Sequence, residues 1–516
     1  MTGRLFHYPA LTSGRIAPMR THQKYYFFLL FILLIPAACT ANPPADVPTA
    51  TAPVFVTLPI TETPAAPTET PLPTNTAQPA LERAKYTLNT SIDYDLHTAS
   101  IDQTILYPNL SGNQLNTLVL AVIPNLWDGS FALTSLSIDG EPVTTYSLNG
   151  QRLDISLASF LPANGMTEIK LQYTLVLPFA EQEDPSISRP RIYGYTSRQI
   201  NLVNWYPFVV PNINGEWILH DPWVYGEHLV YDSADHEVNL SFVPSGLTPI
   251  VAASGLPEPQ PDGSTRYTLT AGRTFALAAS RDFQTASTQV GEVTLTSYYF
   301  PFSEAGGQAA LQSSAQALQV YSAKYGAYPH KSLAIVMGDF NDGMEYSAFY
   351  YLSRDFYNLY DGTSANYLTF VAVHETAHQW WFDQVANDQA LQPWLDESLA
   401  TYSERVYYEN TYPDLVPWWW SYRIDFYKPE GFVDIPIYEG LGFRPYTNAT
   451  YFQGAYFLEK VRQRIGDEAF FAFIQDYFNQ GRGKIVTAND FFRILRSHAS
   501  TDISDLINQY FRSVYQ

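Results

Sequence analysis

Residues 373–380 read Val-His-Glu-Thr-Ala-His-Gln-Trp and contain the pattern His-Glu-x-x-His. It lies inside a segment whose apolar spacing predicts a helix. Histidines four residues apart lie one turn apart on the same helix face, with about 5 to 6 Å between their Cβ atoms. His374 and His378 can therefore direct their imidazoles at one metal ion, with Glu375 beside the first of them. The alternative is two core histidines and a solvated carboxylate on an ordinary helix.

A zinc site of this class needs a third protein ligand and an open fourth position. Residues 394–402 read Trp-Leu-Asp-Glu-Ser-Leu-Ala-Thr-Tyr and supply Glu397. Eighteen residues separate Glu397 from His378, which is enough for one helix to end and a second helix, facing the first, to begin. We therefore predict one Zn²⁺ ion bound by His374, His378 and Glu397. Glu404 is a rival ligand, although its position two turns further along the second helix suits an ion pair better.

Charge and cysteine content restrict the partners and the kind of metal site. The chain has 516 residues and a formal net charge of -21. Nucleic-acid binding depends on clustered Lys and Arg that neutralise phosphates, so we predict no nucleic-acid partner. Cys39 is the single cysteine, and one thiol can form neither an internal disulfide nor a Cys-rich zinc site. Any metal must therefore be held by histidine and carboxylate.

The N-terminus has the pattern of an export signal. Residues 25–35 form an apolar run of 11 residues, preceded by Arg20 and Lys24 and followed by Cys39. This run is too short to span a bilayer, which takes about 20 apolar residues. Residues 35–39 (Ile-Pro-Ala-Ala-Cys) resemble a bacterial lipobox. We predict a lipoprotein-type signal peptide over 1–39, a lipid on Cys39 and an extracytoplasmic, membrane-anchored protein. An uncleaved signal anchor with a chance cysteine is the alternative.

Three further segments follow the signal. Residues 40–84 are rich in Pro, Thr and Ala and predict a disordered linker. Residues 85–287 alternate with period two and carry turn signals such as Asp139-Gly140 and Asn214-Gly215, so we predict an all-β domain without catalytic residues. Residues 288–516 predict an α-rich domain with a small sheet. Its predicted elements are a helix over 311–325, a strand over 333–337, and helices over 366–385, 396–410, 452–464 and 468–479.

The two zinc-binding stretches resemble the aminopeptidase N family of zinc metallopeptidases, in the gluzincin clan. That family has His-Glu-x-x-His-Gln-Trp, eighteen residues, and then Trp-Leu-x-Glu, and this chain keeps all of it. The likeness extends over roughly residues 85–516. It implies a multidomain protein with a saddle-like all-β domain (85–287) and a thermolysin-like catalytic domain (288–516). It also implies one catalytic zinc ion. Together with the predicted signal peptide, the resemblance indicates a short, lipoprotein-anchored bacterial form.

The resemblance implies two further site residues. Residues 342–346 (Asp-Gly-Met-Glu-Tyr) correspond to the family's Gly-x-Met-Glu-Asn stretch, with Asp and Tyr in place of the first Gly and the Asn. Glu345 is then the group that binds the free α-amine of the substrate. The alternative is that Glu345 is a loop carboxylate without a role in substrate binding. Residues 451–455 (Tyr-Phe-Gln-Gly-Ala) match a family run whose tyrosine donates to the oxyanion, so Tyr451 is the expected donor. Without the family context, Tyr451 is a packing residue.

We expect a hydrolase, and specifically an aminopeptidase acting on peptides outside the cell. Glu375 would act as the general acid-base group, taking a proton from water and passing it to the leaving amine. The alternatives are a zinc endopeptidase that uses the same residues and a binding lipoprotein whose metal site is inactive. We expect peptide substrates and a monomeric protein.

Overall fold

The computed structural model describes residues 83–180, 192–244, 248–341, 343–439 and 442–515. The predicted signal peptide, Cys39 and the linker up to residue 82 lie outside these residues. Within the described ranges, none of the helices combines the length and the apolar character that crossing a bilayer requires.

Period-two sequence folds into strands up to residue 280, as predicted. Strand Met166–Val176 shows the reason, because Ile169, Leu171, Tyr173 and Leu175 are buried while the residues between them are exposed. The strands are β1 (Ala84–Asp93), β2 (Thr98–Pro108), β3 (Leu115–Ala121), β4 (Phe131–Ile138), β5 (Glu141–Pro142), β6 (Tyr146–Asn149), β7 (Arg152–Leu161), β8 (Met166–Val176), β9 (Gly194–Tyr195), β10 (Ile200–Leu202), β11 (Phe208–Val209), β12 (Asn212–Ile213), β13 (Glu216–Trp217), β14 (Ala234–Phe242), β15 (Ile250–Ala253), β16 (Glu258–Pro259), β17 (Thr265–Gly272) and β18 (Leu277–Ser280).

These strands form one large sheet and smaller ones beside it. The large sheet has the order β16-β17-β14-β1-β2-β8-β4-β5, and two four-stranded sheets have the orders β15-β18-β10-β9 and β11-β3-β7-β6. Asp139-Gly140 connects β4 to β5 and Asn214-Gly215 connects β12 to β13, with positive φ at all four residues. Both are the two-residue hairpin turns that the sequence predicts.

The rest of the chain combines a five-stranded sheet with helices. The sheet has the order β19-β20-β21-β23-β22. Its strands and the pair after them are β19 (Gln284–Val290), β20 (Val293–Tyr299), β21 (Ser332–Gly338), β22 (Met344–Tyr346), β23 (Phe349–Ser353), β24 (Val385–Ala386) and β25 (Lys484–Ile485). The helices are α1 (Glu304–Lys324), α2 (Arg354–Asn358), α3 (Tyr367–Ala377), α4 (Trp394–Thr411), α5 (Val416–Trp419), α6 (Phe443–Thr447), α7 (Gly454–Ile465), α8 (Asp467–Gly481), α9 (Ala488–His498) and α10 (Ser504–Tyr510).

The fold prediction of a β-rich region followed by an α-rich region with a small sheet is confirmed. The predicted boundary between residues 287 and 288 lies inside β19, which pairs with β20 in the second sheet, and the division into domains stays a prediction. Arg273 joins the two regions, because its buried guanidinium donates to the backbone carbonyl oxygens of Tyr231 at 2.9 Å, Asp383 at 2.9 Å and Lys484 at 2.9 Å.

The helix predicted over 366–385 is shorter in the structure. Asn366 caps α3, its Oδ1 accepting from the Thr369 backbone N–H at 2.9 Å, and α3 ends at Ala377. Beyond it the chain turns, with the Asp383 N–H donating to the His378 carbonyl oxygen at 3.0 Å. Phe382 adopts a φ of 150°, a conformation that only glycine adopts freely. The apolar pattern continues past the helix because the turn itself is buried.

Gly454 sets the close packing of α7 on α4. A Cβ atom at this position would lie 1.9 Å from Ser398 Oγ and 2.4 Å from Ser398 Cβ. The Ser398 hydroxyl donates to the Thr450 carbonyl oxygen at 2.6 Å across the same contact. Only a residue without a side chain lets the two helices approach to this distance, and this approach brings Tyr451 to the site.

Candidate metal centre

The three predicted metal ligands meet where α3 ends and α4 begins. His374 is in the last turn of α3, His378 follows its end, and Glu397 is in the first turn of α4. His374 Nε2 is 3.1 Å from His378 Nε2 and 3.2 Å from Glu397 Oε2, and His378 Nε2 is 3.6 Å from the same oxygen. All three side chains are buried. Two imidazoles and one carboxylate thus face a common point.

The second nitrogen of each imidazole is held by an acceptor. His374 Nδ1 is 2.9 Å from Glu404 Oε1, and His378 Nδ1 is 3.0 Å from the Trp381 carbonyl oxygen. Each Nδ1 therefore carries a proton and each Nε2 faces the common point. Glu404 is buried and also paired with Arg423 at 2.9 Å. Glu404 thus contacts the Nδ1 side of His374, away from the common point, in an ion pair of the kind that its position along the helix predicts.

The spacing and the charge of these groups fit a zinc ion. Ligand atoms about 2.0 to 2.1 Å from a tetrahedral zinc ion lie roughly 3.3 Å from one another, close to the measured separations. Burial alone lowers the pKa of His374, but hydrogen bonds to Glu397 and Glu404 raise it to about 9. Burial alone raises the pKa of Glu397, but His378 and His374 hold it well below its usual range. Both shifts show that positive charge is favourable at the common point. A metal ion bound by deprotonated ligands would supply this charge.

Glu375 lies beside the ligands without joining them. It is buried, and its Oε2 has no hydrogen-bond partner among the residues that the structure describes. Burial raises its pKa to about 8, although His374 and His378 act in the opposite direction. Glu345, Glu375 and His378 also have ligand atoms within 4.8 Å of one another, but this second group shares His378 with the first and lacks a second imidazole. A buried carboxylate with one free oxygen suits proton transfer.

Glu345 is on β22, the edge strand of the five-stranded sheet, and its side chain is buried. Its Oε1 accepts from Gln389 Nε2 at 3.1 Å, and the same Nε2 donates to Asp396 Oδ2 at 3.0 Å. Asp396 Oδ1 in turn accepts from the backbone N–H of Glu397 at 2.8 Å. Burial raises the pKa of Glu345. One amide thus links the predicted amine-binding carboxylate to the helix that carries the third ligand.

Tyr451 is in the π-helical turn Asn448–Gln453, directly before α7. Its ring is parallel to the His374 ring, with an interplanar angle of 5° and 6.1 Å between centroids. It lines a cavity of ≈ 580 Å³ together with all three ligands, Glu345 and Glu375. Burial raises the pKa of Tyr451 well above its usual value, so its O–H stays protonated and can donate.

Glu227 also lines this cavity, from the β-rich region that the sequence analysis treated as free of catalytic residues. Its carboxyl is close enough to Glu397 and Glu345 to be affected by their charges. Burial in the cavity raises its pKa well above the usual value, and these two carboxylates add to that rise. From the family resemblance, Gly226-Glu227 was expected to contribute to the fold of the β-rich region and not to the chemistry. Only the packing of the β-rich region against the helices brings Glu227 here.

The structure brings every predicted site residue into one cavity. These residues are His374, His378, Glu397, Glu375, Tyr451 and Glu345. Their catalytic roles stay predictions. Sequence reasoning missed Glu227, Gln389 and Asp396, which reach the site through tertiary contacts.

Comparison with known proteins finds similarity to peptidases. Residues 309–434 match the model of the Peptidase family M1 domain. Aminopeptidase 2 of Candida albicans is 22% identical over 241 residues, a match that covers 43% of this chain. The chain spans about a quarter (26%) of the length of this curated relative.

Solved structures agree with this fold along most of the chain. The M1 zinc metallopeptidase from Deinococcus radiodurans matches with a TM-score of 0.62 at 19% identity, covering 84% of this chain and 94% of that one. A mutant of that enzyme bound to a Tyr-Ser-Ala substrate matches with a TM-score of 0.59 at 18% identity, covering 84% and 94%. The predicted fold class, a β-rich region followed by an α-rich region with a small sheet, is therefore matched by these solved structures.

Proposed function

We propose that this chain is a zinc-dependent metallopeptidase, and specifically an aminopeptidase, because residues 309–434 match the model of the Peptidase family M1 domain. One observation carries the proposal: ligand atoms of His374, His378 and Glu397 lie 3.1 to 3.6 Å apart, beside the buried carboxylate of Glu375, whose Oε2 has no hydrogen-bond partner among the described residues. The named relatives, an aminopeptidase and a zinc metallopeptidase, support it.

The residues divide the chemistry of peptide hydrolysis between them. Zinc held by the three ligands would supply a Lewis acid that polarises the scissile carbonyl and acidifies water. Glu375, with its free Oε2, takes a proton from the attacking water and passes it to the leaving amine. Tyr451 donates to the carbonyl oxygen as negative charge develops on it, and a donor so placed lowers the barrier by about 3 to 4 kcal/mol.

The proposed aminopeptidase specificity rests on carboxylates at one end of the cavity. Glu345 and Glu227 both line it, and neither has a cationic partner in an ion pair among the described residues. A substrate ammonium group placed there relieves the repulsion between them and fixes the first peptide bond near Glu375 and Tyr451. An internal stretch of polypeptide has no such charge to offer.

We propose an extracytoplasmic location with a lipid on Cys39. Support comes from the sequence alone, in the apolar run over 25–35 and the cysteine that follows it. Labelling cells with a radioactive fatty acid and comparing the wild type with Cys39→Ser tests this location. Labelled wild type and unlabelled Cys39→Ser are expected. We also propose that the protein is a monomer. Light scattering of a variant that lacks the first 82 residues tests this proposal.

The catalytic proposal is tested with Glu375→Gln, which keeps the shape of the side chain and removes its basicity. Zinc content should equal that of the wild type, while hydrolysis of an aminoacyl anilide should fall by at least about a thousandfold. Glu468→Gln is the matched control, since Glu468 is an exposed glutamate on α8, and it should retain full activity. Retained turnover in Glu375→Gln contradicts the mechanism.

Exopeptidase and endopeptidase activities are separated with pairs of peptides that differ only in acetylation of the N-terminus. Cleavage of the free peptide alone supports an aminopeptidase, and cleavage of both supports an endopeptidase that uses the same residues. A chelator should abolish either activity, and added zinc should restore it. Absence of bound zinc together with inactivity on a peptide library would instead favour a binding lipoprotein.

A further inference from the structure

The cavity has two ends, on opposite sides of the metal ligands. Glu345 is at the His378 end, where their ligand atoms lie within 4.8 Å of each other. On the His374 side, Arg423 lines the cavity and is paired with Glu404, which accepts from His374 Nδ1. A peptide whose ammonium group binds at the first end must extend towards the second.

Arg444 lines the cavity at this second end. Its guanidinium carbon lies 4.1 Å from the centre of the Tyr427 ring, and Tyr427 stacks on Phe452 with 5.2 Å between centroids. The Arg423 guanidinium lies 5.1 Å from the centre of that same Phe452 ring. A continuous series of contacts therefore runs from Arg444 through Tyr427 and Phe452 to Arg423, on the His374 side of the metal ligands.

The separation between Arg444 and the proposed oxyanion donor, Tyr451, follows from their positions along the helix. It precedes Tyr451 by seven residues in helical chain that runs from α6 through the π-helical turn into α7. At 1.5 Å per residue this separation is about 10 Å along the helix axis. Both side chains line the same cavity.

The guanidinium of Arg444 forms no ion pair with the described residues. Its contacts are the Tyr427 ring and Thr447 Oγ1, to which Nη1 donates at 3.4 Å. Among the described residues no carboxylate pairs with it, although the chain has 50 Asp and Glu against 29 Lys and Arg. The other guanidinium that lines the cavity, Arg423, is paired with Glu404. Arg444 is exposed yet held in place by the stacked ring.

We propose that Arg444 binds the C-terminal carboxylate of short peptides, so that this chain prefers peptides with two or three residues after the cleaved bond. An extended chain advances about 3.5 Å per residue, so the carboxylate of such peptides lies about 7 to 10 Å from the cleaved bond. A planar guanidinium with unpaired donors fits a carboxylate in two parallel hydrogen bonds. Carboxylates at one end of the cavity and one guanidinium at the other match the two charged ends of a short peptide.

This inference rests on the proposed function and is tested with zinc-loaded full-length protein. The substrates are trialanine, trialanine amide and an alanyl anilide, and the variants are Arg444→Ala, Arg444→Lys and Arg482→Ala. Arg482 is an exposed arginine at the end of α8, away from the cavity, and serves as the control. The wild type should cleave trialanine about tenfold more efficiently than its amide, which corresponds to one charge-assisted contact.

Arg444→Ala should lose about this tenfold preference, mainly through a higher KM for trialanine, and should cleave the amide and the anilide like the wild type. Arg444→Lys should keep part of the preference, and Arg482→Ala all of it. Equal cleavage of trialanine and its amide by the wild type, or an equal loss on all three substrates in Arg444→Ala, overturns the inference alone. A zinc-loaded wild type that cleaves none of the three overturns the proposed function and this inference with it.

Discussion

Glu404 offers the most direct test of how the protein supports its metal site. Its carboxylate accepts from His374 Nδ1 at 2.9 Å, from Arg423 Nη2 at 2.9 Å and from Trp419 Nε1 at 2.8 Å. In Glu404→Gln the amide oxygen can still accept one or two of these bonds, but the negative charge is lost. The imidazole then becomes a weaker base, and its orientation is less firmly held.

The expected magnitude follows from these contacts. Removing an outer carboxylate that holds a metal-binding histidine lowers metal affinity by about 10- to 100-fold, or about 1.4 to 2.7 kcal/mol. A second cost arises because buried Arg423 loses its charge partner, and breaking a buried ion pair costs about 3 to 5 kcal/mol when one partner is removed outright. Glutamine retains an acceptor, so we expect about half of that second cost in the free energy of unfolding.

Two measurements separate these effects. Competition with a chromophoric chelator gives the zinc Kd, and denaturant unfolding of the zinc-free protein gives the stability change. Glu409→Gln is the matched control, because Glu409 is on the same helix and pairs with Arg462 at 2.8 Å, away from the histidines. It should leave the Kd unchanged. A Glu404→Gln variant with the zinc Kd of the wild type would refute the orienting role assigned to this carboxylate.

Three further predictions follow from the same structure. Gln389→Leu removes the donor shared by Glu345 and Asp396, so KM for substrates with a free α-amine should rise about tenfold with kcat little changed; an equal fall in kcat on all substrates would contradict this. Gly454→Ala forces a Cβ to within 1.9 Å of Ser398 Oγ and should lower the free energy of unfolding by about 1 to 3 kcal/mol or prevent folding, whereas an unchanged Tm would show that α4 and α7 are not held together here. When the free zinc concentration is 100 times the Kd, removing the zinc should lower the free energy of unfolding by about 2.7 kcal/mol. An unchanged Tm after chelation would argue against a zinc site.

Local sequence was sufficient for the elements that carry the metal ligands. The four-residue spacing of His374 and His378 works because a helix repeats every 3.6 residues, and this holds whatever surrounds the helix. The same reasoning failed at the end of α3, where the large apolar residues Trp380, Trp381 and Phe382 continue the buried pattern but lie in a turn. Apolar periodicity reports burial, and burial continues past Ala377 while the helix does not.

The parts of the site that sequence reasoning missed come from contacts between distant segments. Gln389 is 44 residues from Glu345 in sequence, and Glu227 comes from the β-rich region. The sequence around neither residue indicates that it belongs to the site. Their positions depend on how the sheets pack against the helices, which no single stretch specifies.

By itself, the sequence determined the order of a β-rich region before an α-rich one and predicted three candidate metal ligands with Glu375 beside them, because helix and strand periodicities are local properties of the chain. Only the tertiary structure decided that Glu404 contacts Nδ1 of His374, that Glu227 enters the cavity and that Arg444 lines this cavity with no carboxylate partner among the described residues. These are properties of side chains brought together across many residues, and the packing of buried surfaces determines them.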